Sequence, residues 1–168
     1  MNYSFGWFDY RVGVGDAWTS NVYEGDDFKS IAIEYSRQTA PNTEFCTGLT
    51  ATVAYLVNTR HYSNYKDDMY IFSLPLHLKY HFLKYLFVEG GLNLNYNKGK
   101  GGYKFGAGLS ANIGAEYVLR SGITFSASPF GQCNLLIAPI EHDTGIYKPS
   151  GMNKLFQWGV KLGIGYRF

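Results

Sequence analysis

The sequence has few charges, few cysteines and no long apolar run. Of its 168 residues only 17% are charged, the formal net charge is +2, and there are two cysteines. A nearly neutral chain lacks the basic surface that is typical of nucleic-acid binding. Two cysteines are too few for a disulfide-stabilised small fold. Because no segment approaches the roughly 18 to 20 consecutive apolar residues of a membrane helix, we expect no transmembrane helix.

The N-terminal segment lacks the features of a secretory signal peptide. Met1 is followed by NYSFGWFDYRV, which has neither a basic region nor an apolar region in the order that such a peptide requires. If the protein is exported, we expect its signal peptide to be absent from this chain.

Aromatic residues and glycine are abundant instead. The chain contains 15 Tyr, 12 Phe, 3 Trp and 20 Gly. Aromatic residues favour strands, and glycine is common in turns and crowded sheet faces. In the final stretch, LFQWGVKLGIGYRF, every second residue is large and apolar. This two-residue period predicts a β-strand with one apolar face, and residues 1–168 are predicted to form a single all-β domain.

The same alternation recurs along the chain and predicts eight strands. The predicted segments are residues 5–15, 28–36, 44–57, 70–82, 86–97, 103–119, 122–138 and 155–168. Most are long enough for a tilted strand to cross a bilayer, which takes about 9 to 11 residues. Short connections (37–42, 83–84, 120–121) alternate with longer ones (16–27, 58–68, 97–102, 139–153). An even strand number with short turns at one end is typical of an outer-membrane barrel.

The composition of the polar face separates a membrane barrel from a soluble, lipocalin-like barrel. The polar face is rich in Gly, Ser, Asn and Thr, which suit a narrow lumen better than a water-exposed surface. The apolar face is banded at both ends by aromatic residues, with Phe28 predicted in the band on the long-loop side, as at membrane interfaces. We therefore predict an eight-stranded antiparallel up-and-down transmembrane β-barrel with short periplasmic turns and longer extracellular loops. Its location would be the outer membrane of a Gram-negative bacterium.

Charged side chains are predicted to face the lumen. An eight-stranded barrel is only wide enough to be filled by side chains, and buried charges are costly unless they are paired. We therefore expect a lumen ion-pair network, with His77 and His81 nearby, that plugs the barrel. A narrow channel is the alternative. No cysteine or acid completes a metal site with the two histidines, so no metal or cofactor is expected. The network residues are Asp9, Arg11, Glu34, Lys79, Glu89, Glu116, Lys161 and Arg167.

The last strand resembles the C-terminal signal that the barrel-assembly machinery recognises in outer-membrane proteins. Its aromatic residues include Trp158 and Tyr166, and the chain ends on Phe168. Residues 5–11 and the segments SLPLHLKYHF, LFVEGGLNLNY and GIGYRF resemble the small outer-membrane β-barrel family common in Bacteroidota. The resemblance implies contact with outer-membrane lipid and lipopolysaccharide, and with the assembly machinery during biogenesis.

One short motif resembles an active site. The segment RHYSN contains His61, Ser63 and Asn64, and His-x-Ser-Asn is similar to the motif of the lipid A 3-O-deacylase family. The resemblance implies that His61 is the base, Ser63 the nucleophile and Asn64 an oxyanion contributor. That family carries the motif later in the chain, and Asp67 and Asp68 are predicted loop residues that do not orient His61. A solvated surface loop is the alternative interpretation.

These observations favour a structural or interaction protein rather than an enzyme. We expect a barrel that stands alone or serves as an accessory subunit of a larger outer-membrane protein complex. A lipid A deacylase-like esterase and a narrow channel are the two alternatives.

Overall fold

In the computed structural model, the described residues are 1–11, 23–58, 66–99, 102–137 and 153–166. They form eight strands: β1 (Asn2–Arg11), β2 (Tyr23–Ala40), β3 (Thr43–Asn58), β4 (Lys66–His81), β5 (Leu86–Gly99), β6 (Gly102–Val118), β7 (Ile123–Ile137) and β8 (Asn153–Tyr166). Among these residues, no helix is long and apolar enough to cross a membrane.

The eight strands form a closed antiparallel barrel in sequence order. Each strand pairs with the next, and β1 pairs with β8 through a continuous register from Asn2↔Gly163 to Arg11↔Lys154. At this seam the Met1 ammonium group donates to the Ile164 carbonyl oxygen over 2.7 Å. Closure leaves no sheet edge unpaired, as a hydrocarbon environment requires. The predicted eight-stranded antiparallel barrel is confirmed.

Short connections lie at one end of the barrel. They comprise residues 41–42, 82–85 and 119–122, and Gly122 adopts a positive φ of 87° in the last of them. At the other end, strand pairing leaves residues 12–22, 59–65, 100–101 and 138–152 between strands. The connection between β5 and β6 is shorter than predicted, because the ladder continues to the Gly99↔Gly102 pair.

The outer wall of the barrel is apolar and its interior is polar. Ile33, Leu49 and Leu109 are 71%, 70% and 65% exposed, whereas Asn93 and Asn95 are each only 3% exposed. An exposed apolar surface that surrounds the whole barrel is the lipid-facing band of a membrane barrel.

Lys29 is an exposed cation on the outer face of β2. It pairs with Phe5 of β1 and with Val53 of β3, and Val53 in turn pairs with Tyr70 of β4. Lys29 therefore lies at the level of the aromatic residues near the long-loop end, where a lysine side chain can extend to the interface.

The predicted phase of β1 was wrong. The sequence pattern placed Asp9 and Arg11 in the lumen, but Tyr3, Phe5 and Trp7 are exposed on the outer wall. The side chains of Asp9 and Arg11 themselves lie outside the described residues. The sequence pattern was ambiguous because aromatic residues occupy both odd and even positions in WFDYRV.

Because the outer wall faces lipid, the cost of a charged side chain there should depend on its position along β6. Leu109→Arg, near the middle of β6, should lower the free energy of unfolding in lipid by about 2–4 kcal/mol. Tyr117→Arg, at the short-turn end of the same strand, should cost only about 0–1 kcal/mol. Reversible denaturant unfolding in vesicles measures both. Equal costs would contradict the predicted membrane position of this wall.

Candidate functional site

The lumen is closed at the long-loop end by apolar side chains. Phe28, Met69 and Ile71 project inward from β2 and β4, and Ala54 and Leu155 are fully buried. Phe130 packs edge-on against Phe28, with 6.0 Å between the ring centroids. Phe28 was predicted to lie in the lipid-facing aromatic band, but its ring is 2% exposed inside the barrel. The β2–β3 ladder has a register irregularity between Gly25 and Phe28, immediately before this residue.

Amide side chains fill the adjoining part of the lumen. Asn95 Nδ2 and Gln132 Nε2 both donate to Asn134 Oδ1, over 2.8 and 2.9 Å. Asn134 is fully buried, and its own Nδ2 donates to Gln157 Oε1 over 3.4 Å. These hydrogen bonds link β5, β7 and β8 through side chains that carry no net charge.

The charged side chains lie toward the short-turn end. Lys161 Nζ is 2.6 Å from Glu34 Oε1 and 3.7 Å from Glu89 Oε1. Lys79 forms a buried ion pair with Glu116, and its ammonium group lies 4.2 Å from the centroid of the Phe87 ring. Five of the predicted network residues are therefore brought together in two adjoining groups.

Sequence reasoning missed one acid of this region. Glu44 is buried, and its Oε1 lies 3.4 Å from His81 Nε2. Glu44 precedes the lumen residue Cys46 by two positions, so the strand alternation itself would have identified it. In the described residues, no group of three or more His, Cys, Asp or Glu side chains is arranged to hold a metal ion.

His77 has three polar neighbours in the middle of the lumen. Its Nδ1 is 2.8 Å from Glu89 Oε1, and its Nε2 is 2.8 Å from Ser110 Oγ and 3.1 Å from Asn93 Oδ1. The strand register creates this arrangement, because His77 pairs with Gly91 and Gly91 pairs with Ser110. Since Gly91 has no side chain, the imidazole ring lies across β5, between Glu89 and Asn93, and reaches β6.

Described residues of the lumen line two neighbouring cavities. The larger, of about 520 Å³, lies at the short-turn end, and we call it the vestibule; Glu34, Glu89 and Lys161 are among its walls. The smaller, of about 60 Å³, lies deeper, and we call it the chamber; Ser110 and Asn93 are among its walls. Asn2, Glu34 and Lys161 line both cavities, so the Lys161–Glu34 pair stands between them.

The other sequence-predicted site residues lie outside the lumen or outside the described residues. Trp158 and Tyr166 are 46% and 59% exposed on the outer wall of β8. The predicted residues that fall outside the described ranges are His61, Ser63, Asn64, Arg167 and Phe168.

The closed eight-stranded barrel, its apolar wall and its polar lumen define the outer-membrane β-barrel class of fold. Among solved structures, the chain is similar to the outer membrane protein OprG from Pseudomonas aeruginosa. The TM-score is 0.55 at 14% sequence identity, and the alignment covers 99% of this chain and 94% of that chain. At this identity the likeness is one of fold. No protein-family model matches the chain, and no curated protein matches it in sequence.

Proposed function

We propose that the protein is an integral outer-membrane barrel of a Gram-negative bacterium with a plugged lumen, acting as a structural or interaction protein. The observation that carries the proposal is the closure of the lumen by the apolar cluster of Phe28, Ala54, Met69, Ile71 and Leu155. Lipid and lipopolysaccharide would contact the apolar wall, and the barrel-assembly machinery would insert the chain. The finer assignment, to the Bacteroidota type of small barrel, rests on the sequence resemblance.

The plug favours this role over the channel alternative. Leu155 and Ala54 are 0% exposed at the long-loop end of the lumen. An ion that crossed this layer would lose its hydration among apolar side chains, which offer no replacement for water. An apolar layer across the lumen leaves the outer wall and the connections between strands as the surfaces available to protein partners, including a larger outer-membrane complex.

The mass of the native particle tests this role. The protein would be extracted from outer membranes in mild detergent, and the mass of the particle that contains it would be measured. One 18.9 kDa chain plus its micelle supports a barrel that stands alone. A much larger particle supports an accessory subunit. A chain recovered without detergent as a water-soluble monomer would overturn the proposal.

Conductance in a planar bilayer tests the plug directly. We expect no steady current from the wild-type barrel, and currents from the Phe28→Ala/Leu155→Ala variant, because these changes empty the apolar layer. Leu109→Ala, an equivalent truncation on the outer wall, is the matched control and should stay silent. A steady wild-type current would favour the channel.

The lipid A deacylase-like alternative concerns His61, Ser63 and Asn64, which lie outside the described residues. If it holds, Ser63→Ala should abolish release of the ester-linked acyl chain from lipid A, since the nucleophile would be lost. Retained release in that variant would exclude the assignment to Ser63.

A further inference from the structure

The lumen holds a carboxylate, an imidazole and a hydroxyl in one chain of hydrogen bonds. Glu89 Oε1 lies 2.8 Å from His77 Nδ1, and Ser110 Oγ lies 2.8 Å from His77 Nε2. A carboxylate beside Nδ1 selects the tautomer that carries its proton there, which leaves the Nε2 lone pair to accept the serine hydroxyl. This order of contacts converts a serine into a nucleophile.

The arrangement is held by strands and not by loops. His77, Glu89 and Ser110 belong to three neighbouring strands whose register is continuous through this region. His77 and Glu89 are 8% and 7% exposed. Reacting groups on rigid, packed elements keep their relative positions, which favours chemistry that depends on alignment.

A small polar space adjoins the serine. Ser110, Asn93 and Asn112 line the chamber of about 60 Å³. Asn93 Nδ2 is buried, and it has no hydrogen-bond partner among the described residues. A buried amide with a free donor beside a nucleophile is suited to stabilise an oxyanion. At the roughly 30 Å³ that a water takes up in the liquid, the chamber has room for about two waters, so only a very small acyl group can enter it.

We propose that Ser110, His77 and Glu89 form a nucleophilic site that cleaves short acyl esters, with Asn93 as the oxyanion donor. Ser110 Oγ bonds to the ester carbonyl carbon while its proton passes to His77 Nε2. The ester C–O bond then breaks, and the leaving oxygen takes that proton and departs as an alcohol. Water attacks the acyl-serine with His77 as base, which releases the carboxylic acid and restores the hydroxyl.

The contact between Asn93 and His77 suits the protonated imidazole that forms during this reaction. Asn93 Oδ1 lies 3.1 Å from His77 Nε2. Once Nε2 carries the proton from Ser110, it becomes a donor, and Asn93 Oδ1 is placed to accept from it. Glu89 stabilises the same imidazolium from the Nδ1 side.

The substrate reaches this site from the short-turn end. The apolar cluster closes the long-loop end of the lumen, whereas the vestibule adjoins the chamber at Glu34 and Lys161. A ligand must therefore pass the Lys161–Glu34 ion pair. This restricts the acyl group to a short one and places its source on the periplasmic side of the membrane.

Methanesulfonyl fluoride, a small reagent for nucleophilic serines, tests the proposal on the full chain in detergent micelles. Ser110 Oγ should displace fluoride, so that intact mass and peptide mapping find one methanesulfonyl group on Ser110. Ser110→Ala should lose the label. Ser121→Ala removes a hydroxyl in the short connection after β6, outside the lining of both cavities, so it is the control and should keep the label.

A nucleophilic serine differs from a merely structural one because its reactivity depends on the imidazole. His77→Gln should slow the labelling of Ser110 by roughly 10²-fold or more, since proton transfer to the base is lost. Glu89→Gln provides a second variant if His77→Gln does not fold, and it should also slow labelling. The rate of p-nitrophenyl acetate hydrolysis should fall in the same variants, Ser110→Ala, His77→Gln and Glu89→Gln. An unlabelled wild-type Ser110, or labelling that is equally fast in the folded variants, would overturn the proposal.

Discussion

Gly91→Ala should cost more than about 3 kcal/mol of unfolding free energy, because the new methyl group has no space. A Cβ built on Gly91 would lie 2.7 Å from His77 Cα and would overlap the carbonyl oxygen of Leu76. These are backbone atoms of the neighbouring strand, so relief requires the β4–β5 ladder to move. Denaturant unfolding in vesicles gives the magnitude, and loss of the folded barrel is the extreme outcome.

Gly131→Ala is the matched control for Gly91. A Cβ at Gly131 would meet no atom within 4 Å, so the same chemical change should alter stability by less than about 0.5 kcal/mol. The Gly91 substitution would also displace the His77 ring, because this ring occupies the space that Gly91 leaves open. If both variants were equally stable, the close β4–β5 contact would not constrain the barrel.

Lys161→Met should have the second large effect, at about 3 kcal/mol. The change keeps the length and apolar stem of the side chain but removes the cation that lies 2.6 Å from Glu34 and 3.7 Å from Glu89. Removing one partner of a buried pair leaves the other charge uncompensated, which costs about 3–5 kcal/mol. The Lys161 and Glu34 side chains are 16% and 20% exposed, so water softens the effect toward the lower value.

A second substitution identifies the cause. Adding Glu34→Gln to Lys161→Met should recover part of the lost stability, because the unpaired carboxylate is then neutral. Lys29→Met makes the same chemical change on the outer wall, where no ion pair is found among the described residues, and it should cost little. An additive double variant would show that Lys161 and Glu34 do not interact.

The strand alternation predicted most of the fold, for a simple physical reason. Lipid requires apolar side chains, and the lumen accepts polar ones. In the segment containing Leu109 and Ile113, the apolar side chains can therefore face only the lipid. The method failed where both faces are aromatic, as around Trp7 and Phe8 in β1. It also failed at Phe28, because a large apolar residue near a strand end suits a lipid interface and a lumen plug equally well.

The candidate site was less accessible to sequence reasoning than the fold. Lys79, Glu89 and Lys161 could be placed in the lumen individually, because each lies on the polar face of its strand. The contact between His77 and Ser110 depends on two successive strand registers, and on a glycine between them. Periodicity within a strand carries no information on register between strands, so Ser110 could not be distinguished from the other serines of the polar face.

The uneven distribution of charge along the lumen affects how the barrel enters the membrane. Described lumen side chains near the long-loop end, such as Phe28, Asn134 and Leu155, are neutral, whereas the ion pairs of Lys79 and Lys161 lie near the end that holds Met1. A barrel inserted from the periplasm sends its long-loop end across first. The lumen charges therefore stay in the trailing half and need not cross the hydrocarbon midplane, where an ionised side chain is most costly. We expect this arrangement to lower the free-energy barrier to translocation and to favour a single final orientation.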